Sequence, residues 1–158
     1  MGYRIHFADG TDTKQLMAAL RALYGVQRNE MVVASTGDPR SRCASTATVV
    51  VTPGVGDGRY GCRLFAGAAF DEYTGHLSAR RLAAALCVVC HTQALVAGGR
   101  TGWLLVTGDG LVTEVVVDDD VILEEGVVIV AALAAIPLMP EIPVRTAAWC
   151  RERLPPEV

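Results

Sequence analysis

Lysine is nearly absent from this chain of 158 residues: Lys14 stands alone beside thirteen arginines. The 14 cations are scattered and outnumbered by 17 acids, which leaves a net charge of −3. Phosphate binding needs a basic footprint, so no nucleic-acid partner is expected. The uncharged run 126–140 is 15 residues long and holds Pro137 and Pro140, too short and too broken to cross a bilayer, so no membrane association is expected. Met1 to Gly10 lacks a basic segment followed by an apolar one, so the expected location is cytoplasmic. The five cysteines, Cys43, Cys62, Cys87, Cys90 and Cys150, are an odd number for a disulfide framework and read as buried thiols. Nucleophile and phosphate motifs are missing as well: there is no G-x-S-x-G, no H-E-x-x-H and no P-loop.

What is present is apolar residue in quantity. Hydrophobic residues make up 51% and charged residues 20%, the composition of a compact globular protein. A chain of this length buries roughly 70% of its unfolded surface in one core, so residues 1–158 are expected to form a single domain.

The stretch from Ser78 to Val117 looks central. Ser78 is a favoured N-cap, the run Ala79 to Ala97 has neither Gly nor Pro, and Gly98-Gly99 supplies a stop; this predicts one long helix. Gly102 to Gly108 and Leu111 to Val117 flank Asp109-Gly110, which predicts a hairpin closed by a two-residue type I′ turn. That turn would set Leu104 against Val115 and Val106 against Thr113 on one face, and Trp103 against Val116 and Leu105 against Glu114 on the other.

Elsewhere, Tyr3 to Ala8 alternates as a half-buried strand, and Asp12 caps an amphipathic helix from Thr13 to Tyr24 that Gly25 stops. Met31 to Ala34, Thr46 to Thr52 and Arg59 to Phe70 read as strands, the last two joined through Pro53 to Gly58. Val121 to Ile136 reads as a strand followed by a short apolar helix, and Val144 to Leu154 as a final helix with Pro143 at its first position. The approximate order βαβββαββ(β)αα predicts an α+β fold, a mainly antiparallel sheet with helices packed on it.

Cys87-Val88-Val89-Cys90-His91 matches the C-x-x-C-H pattern of c-type haem attachment, and the same three residues offer part of a zinc ligand set. Against both, the motif lies inside an apolar run already explained by packing, and a closed zinc site needs a fourth ligand; no metal or cofactor is expected. Gly54, Gly56 and Gly58 resemble a dinucleotide loop in spacing, but they lead from strand to strand where that loop must enter a helix. His6, His76 and His91 are available for acid–base chemistry only if the fold brings them to carboxylates. Asp118, Asp119, Asp120, Glu124 and Glu125 form the densest charge cluster, a solvated turn or a docking surface for a basic partner.

These features predict, first, a non-enzymatic interaction protein of the immunity or antitoxin kind, holding a basic protein partner such as a toxin or nuclease by its acidic surface. The second expectation is a small enzyme or ligand-binding domain with a pocket between helix and sheet. The third is a metal or haem protein using Cys87, Cys90 and His91.

Overall fold

A computed structural model describes residues 2–34, 47–54, 60–118, 127–146 and 148. In chain order the elements are β1 (Tyr3–Phe7), α1 (Thr13–Tyr24), β2 (Met31–Val33), β3 (Val49–Thr52), β4 (Cys62–Ala66), α2 (Ala69–Thr74), α3 (Ala79–Cys90), β5 (Gln93–Ala97), β6 (Trp103–Thr107), β7 (Val112–Val117) and β8 (Ile129–Ala132). The strands form one mixed, mostly antiparallel sheet in the order β2-β3-β4-β1-β5-β6-β7-β8, and the fold is α+β. Its parallel pair is β2 with β3; α1 carries the chain from β1 past two strands to β2.

Strand alternation divides the core between the two faces of this sheet. On one face Ile5, Phe7, Val49, Val51, Leu64, Ala94, Val96 and Val106 pack with Leu16 and Leu20 of α1 and Leu82, Leu86 and Cys87 of α3. On the other, Leu95, Leu105, Val115 and Val117 meet Val127, Ala132 and Ile136, with Met139 and Ile142 packed beside them. The central strands are therefore covered twice. Each of Leu82, Leu86, Leu95 and Leu105 is fully buried, a contribution of about 1.5–3 kcal/mol apiece.

The helix at 13–24 agrees with its expectation in both caps: the Asp12 side chain accepts from Lys14 N, and Gly25 takes the left-handed conformation with φ 70°. The antiparallel pairing of β3 with β4 and of β6 with β7 also agrees. Four expectations are corrected. The long helix 79–97 is two elements: α3 ends at Cys90, His91 is left-handed at φ 50°, and Gln93–Ala97 enters the middle of the sheet as β5. An apolar run buried on all sides carries no period, so helix and two-sided strand look alike in it. The β6–β7 register is one residue away from that expected. Trp103 pairs with Val115, Leu104 with Glu114 and Leu105 with Thr113, around a three-residue loop, Gly108-Asp109-Gly110. The strand expected over Arg59–Phe70 is shorter, β4, and Phe70 belongs to α2. No helix follows β8 up to Ile136, and Val144 bridges in parallel to Ala132 where a helix was expected to begin. Most of the expected final helix, and the Gly56 and Gly58 positions, lie outside the described residues.

Candidate functional site

Three chain reversals meet at one end of the sheet. β1 ends at Phe7, and the segment Ala8 to Asp12 turns into α1, with Thr11 N donating to Ala8 O at 2.9 Å. α3 ends beside it; His91 reverses the chain and Thr92 N donates to Cys87 O at 3.1 Å. The two reversals are tied together by Ala8 N donating to Gln93 O at 3.0 Å and by a 2.7 Å hydrogen bond between the Thr11 and Thr92 hydroxyls. The β6–β7 loop closes in from the third side. Gly108 passes so near α3 that a Cβ there would lie 2.9 Å from Cys87 O, which leaves no room for a larger residue.

Between these reversals lies an open cavity of about 500 Å³, lined mainly by Thr11, Asp12, Gln15, Cys90, His91, Thr92, Gln93, Thr107 and Asp109, with Leu138 at its rim. Leu138 is 65% exposed, an apolar side chain left at the mouth of a polar cavity. Asp12, Gln15, His91 and Asp109 are exposed, whereas Cys90 is buried in the wall. Among the described residues no lysine or arginine lines the cavity, so two carboxylates set the sign of the field there.

Each carboxylate is held by its own turn. Asp12 Oδ1 accepts from Lys14 N at 2.9 Å as the cap of α1. The Thr107 hydroxyl donates to Asp109 Oδ1 while receiving Leu111 N at 3.1 Å, a clamp that fixes the hairpin loop. That hydroxyl, with backbone N–H groups of the loop, holds the Asp109 carboxyl below the ordinary carboxylate range. Burial pushes the Cys90 thiol up, and the Asp12 carboxylate adds to the shift. Burial likewise pushes Cys87 to about 12 and Cys62 to about 11. The pair Cys87 and Cys90 sits in the last turn of α3, where the negative end of the helix dipole opposes thiolate formation further. These thiols are protonated and inert at neutral pH.

The fold does not gather the three C-x-x-C-H residues into one ligand set. Cys87 is fully buried, with its thiol against Val106 O at 3.8 Å, while His91 is an exposed cap. Among the described residues no three His, Cys, Asp or Glu side chains converge in a way that could hold a metal ion. His6, His76 and His91 occupy a buried strand, the turn after α2 and the cap of α3. Of the acidic run, Asp118 is half-buried and its N–H donates to Val128 O at 2.9 Å; Asp119, Asp120, Glu124 and Glu125 lie outside the described residues. Sequence reasoning found Asp12 only as a cap and Asp109 only as a turn residue. The signal that joins them is topological: β1 next to β5 next to β6 puts their loops at the same end of the sheet.

No helix among the described residues is long and apolar enough to cross a membrane. No protein-family model, no curated protein and no solved structure matches the chain.

Proposed function

We propose that this is a cytoplasmic, non-enzymatic interaction protein, an inhibitor of the immunity or antitoxin kind, that receives a cationic side chain of a basic partner in the cleft between α1, α3 and the β6–β7 loop. The observation that carries the reading is the pair of exposed carboxylates, Asp12 and Asp109, across a cavity whose lining holds no arginine or lysine among the described residues. A guanidinium or ammonium group entering there meets two anions and the acceptor groups of Gln15, Gln93 and Thr92. The net charge of −3 favours the same partner at long range. Among the lining groups Cys90 is shifted up and Asp109 down, each away from the neutral range that a general acid or base needs, which supports a binding role for these two.

Charge-assisted contacts of this kind are worth about 1.5–3 kcal/mol each, so the cleft supplies a specific anchor and the surrounding surface supplies the remaining affinity. The test is a chemical-shift titration of the labelled chain with a short arginine-rich peptide and, as control, a glutamate-rich one. Saturable shifts centred on Asp12, Gln15, His91 and Asp109 are expected with the first peptide only. Asp12→Asn with Asp109→Asn keeps the cap and the turn while removing both charges, and should abolish the shifts. Shifts that survive in that variant would overturn the reading. The cavity volume of about 500 Å³ also lies in the range of small-molecule pockets, which favours a second reading as a site for a free cationic ligand. Binding of arginine itself as tightly as the peptide would select that alternative.

A further inference from the structure

β1 and β4 are antiparallel neighbours, and their register sets His6 opposite Arg63 and Arg4 opposite Phe65. Ile5, Phe7, Cys62 and Leu64 belong to the face packed with α1 and α3, so alternation puts Arg4, His6, Arg63 and Phe65 together on the other face. The Arg4 and Arg63 guanidinium carbons lie 5.3 Å and 5.7 Å from the centre of the Phe65 ring, one aromatic shared by two cations. His6 is only 2% exposed and stands edge-on to Trp103, ring centres 5.4 Å apart. Among the described residues neither nitrogen of its imidazole has a hydrogen-bond partner, and the buried Nε of Arg63 has none.

Such an arrangement is unfavourable on its own terms. Buried polar atoms are almost always satisfied, and two guanidiniums over one ring repel each other. Among the described residues neither arginine is ion-paired to a carboxylate. The cluster has donors on three side chains and, as acceptor, one bare nitrogen of the neutral imidazole, with no anion among the described residues to pair the two guanidiniums. A second open cavity of about 500 Å³, lined by Arg4 and Phe65 with Tyr3, Ala47 and Val50, opens the Arg4 end of the patch to solvent; His6 and Arg63 lie behind it, outside its lining.

We infer that Arg4, His6 and Arg63 form a binding site for a small oxyanion, a phosphate or a carboxylate, whose oxygens accept from the guanidinium N–H groups and from an imidazole N–H. The site is independent of the carboxylate cleft and takes the opposite charge. In the unliganded protein the imidazole is neutral at pH 7, because burial, then Arg63, then Arg4 hold its pKa near 4. Among the described residues those two arginines are the charged groups that act on it; its remaining neighbours on the sheet, Leu95 and Trp103, carry no charge. A bound anion supplies the missing opposite charge and raises that pKa.

The experiment follows the imidazole nitrogen resonances of the full-length labelled chain during titration with inorganic phosphate and, separately, malonate, up to about 10 mM. The His6 signals should shift saturably with at least one of the two anions, and the His6 titration midpoint should rise by about one unit or more. Phosphate alone, malonate alone or both would each identify the accepted oxyanion. Arg63→Met and Arg4→Met should weaken binding by about tenfold or more. No saturation with either anion, or shifts at exposed His76 and His91 as large as those at His6, would overturn the proposal; so would unchanged binding in the arginine variants. The comparison among the three histidines needs only the unaltered protein, so the result stands even where Arg63→Met fails to fold.

Discussion

His91 holds φ 50° at the end of α3, a conformation that costs a non-glycine residue about 1–2 kcal/mol and that glycine adopts freely. His91→Gly should therefore be neutral or stabilising by up to about 1 kcal/mol, and His91→Val should destabilise by about 1–3 kcal/mol. Urea unfolding of the two variants checks this. Were residues 79–97 one helix, the order would reverse, since glycine in a helix interior costs about 1 kcal/mol and valine less. His6 makes a different prediction. Its folded pKa near 4 lies below the ordinary 6.5, so as pH falls the unfolded chain takes the proton first. The contribution is complete above pH 6.5 and is lost as pH falls towards 4, on the order of 3 kcal/mol at most. Among the described residues the charged groups that act on the ring are Arg63 and Arg4. Unfolding midpoints at pH 7 and pH 4.5 should differ more in the wild type than in His6→Leu. An equal difference in both would show that His6 titrates freely in the folded state.

At the scale of elements, the β6–β7 hairpin shows why some features were legible and others were not. Asp109-Gly110 marked the reversal correctly, and Gly110 does hold a positive φ of 91°. The loop is nevertheless three residues long. Gly110 N reaches Thr107 O at 3.3 Å and Thr107 N reaches Leu111 O at 3.0 Å, the pattern of a turn followed by a glycine bulge. The Thr107 hydroxyl selects this loop through Asp109 and Leu111, and a dipeptide signal contains no trace of it. Nor does patterning decide the register here, because Leu105 and Val106 are buried on opposite faces, and a slip by one exchanges apolar for apolar. Gly110→Val should lower stability by about 1–3 kcal/mol, and Thr107→Val by about 1 kcal/mol, both read from thermal unfolding. The same two-sided burial hid β5: Ala94, Leu95 and Val96 are all fully buried and show no alternation. By contrast α1 was readable throughout, since one face meets solvent and both its caps are local. The polar triplet His91-Thr92-Gln93 was the available hint that the central run divides.

For the whole molecule, one consequence of that division reaches function. A helix continued to residue 97 would remove both the reversal at His91 and β5, the strand that joins β1 to β6 in the sheet, and the cleft would not exist. The carboxylates that line it come from loops remote in sequence, so no local motif announces them. Charge density alone pointed instead to Asp118, Asp119, Asp120, Glu124 and Glu125, of which Asp118 is half-buried and backbone-paired to Val128. Association of a basic partner should be steered by the net negative field and should slow as salt screens it, whichever carboxylates make contact. The residence time depends on the contacts themselves. The most direct measurement is the affinity of an arginine-rich peptide, by calorimetry at low ionic strength, for the wild type, for Asp12→Asn with Asp109→Asn, and for Asp119→Asn with Asp120→Asn. Both double variants remove two negative charges, so the net charge changes equally. A loss of about tenfold or more in the cleft variant, with a much smaller loss in the other, is the predicted result; equal losses in the two, or no loss in the cleft variant, would contradict it.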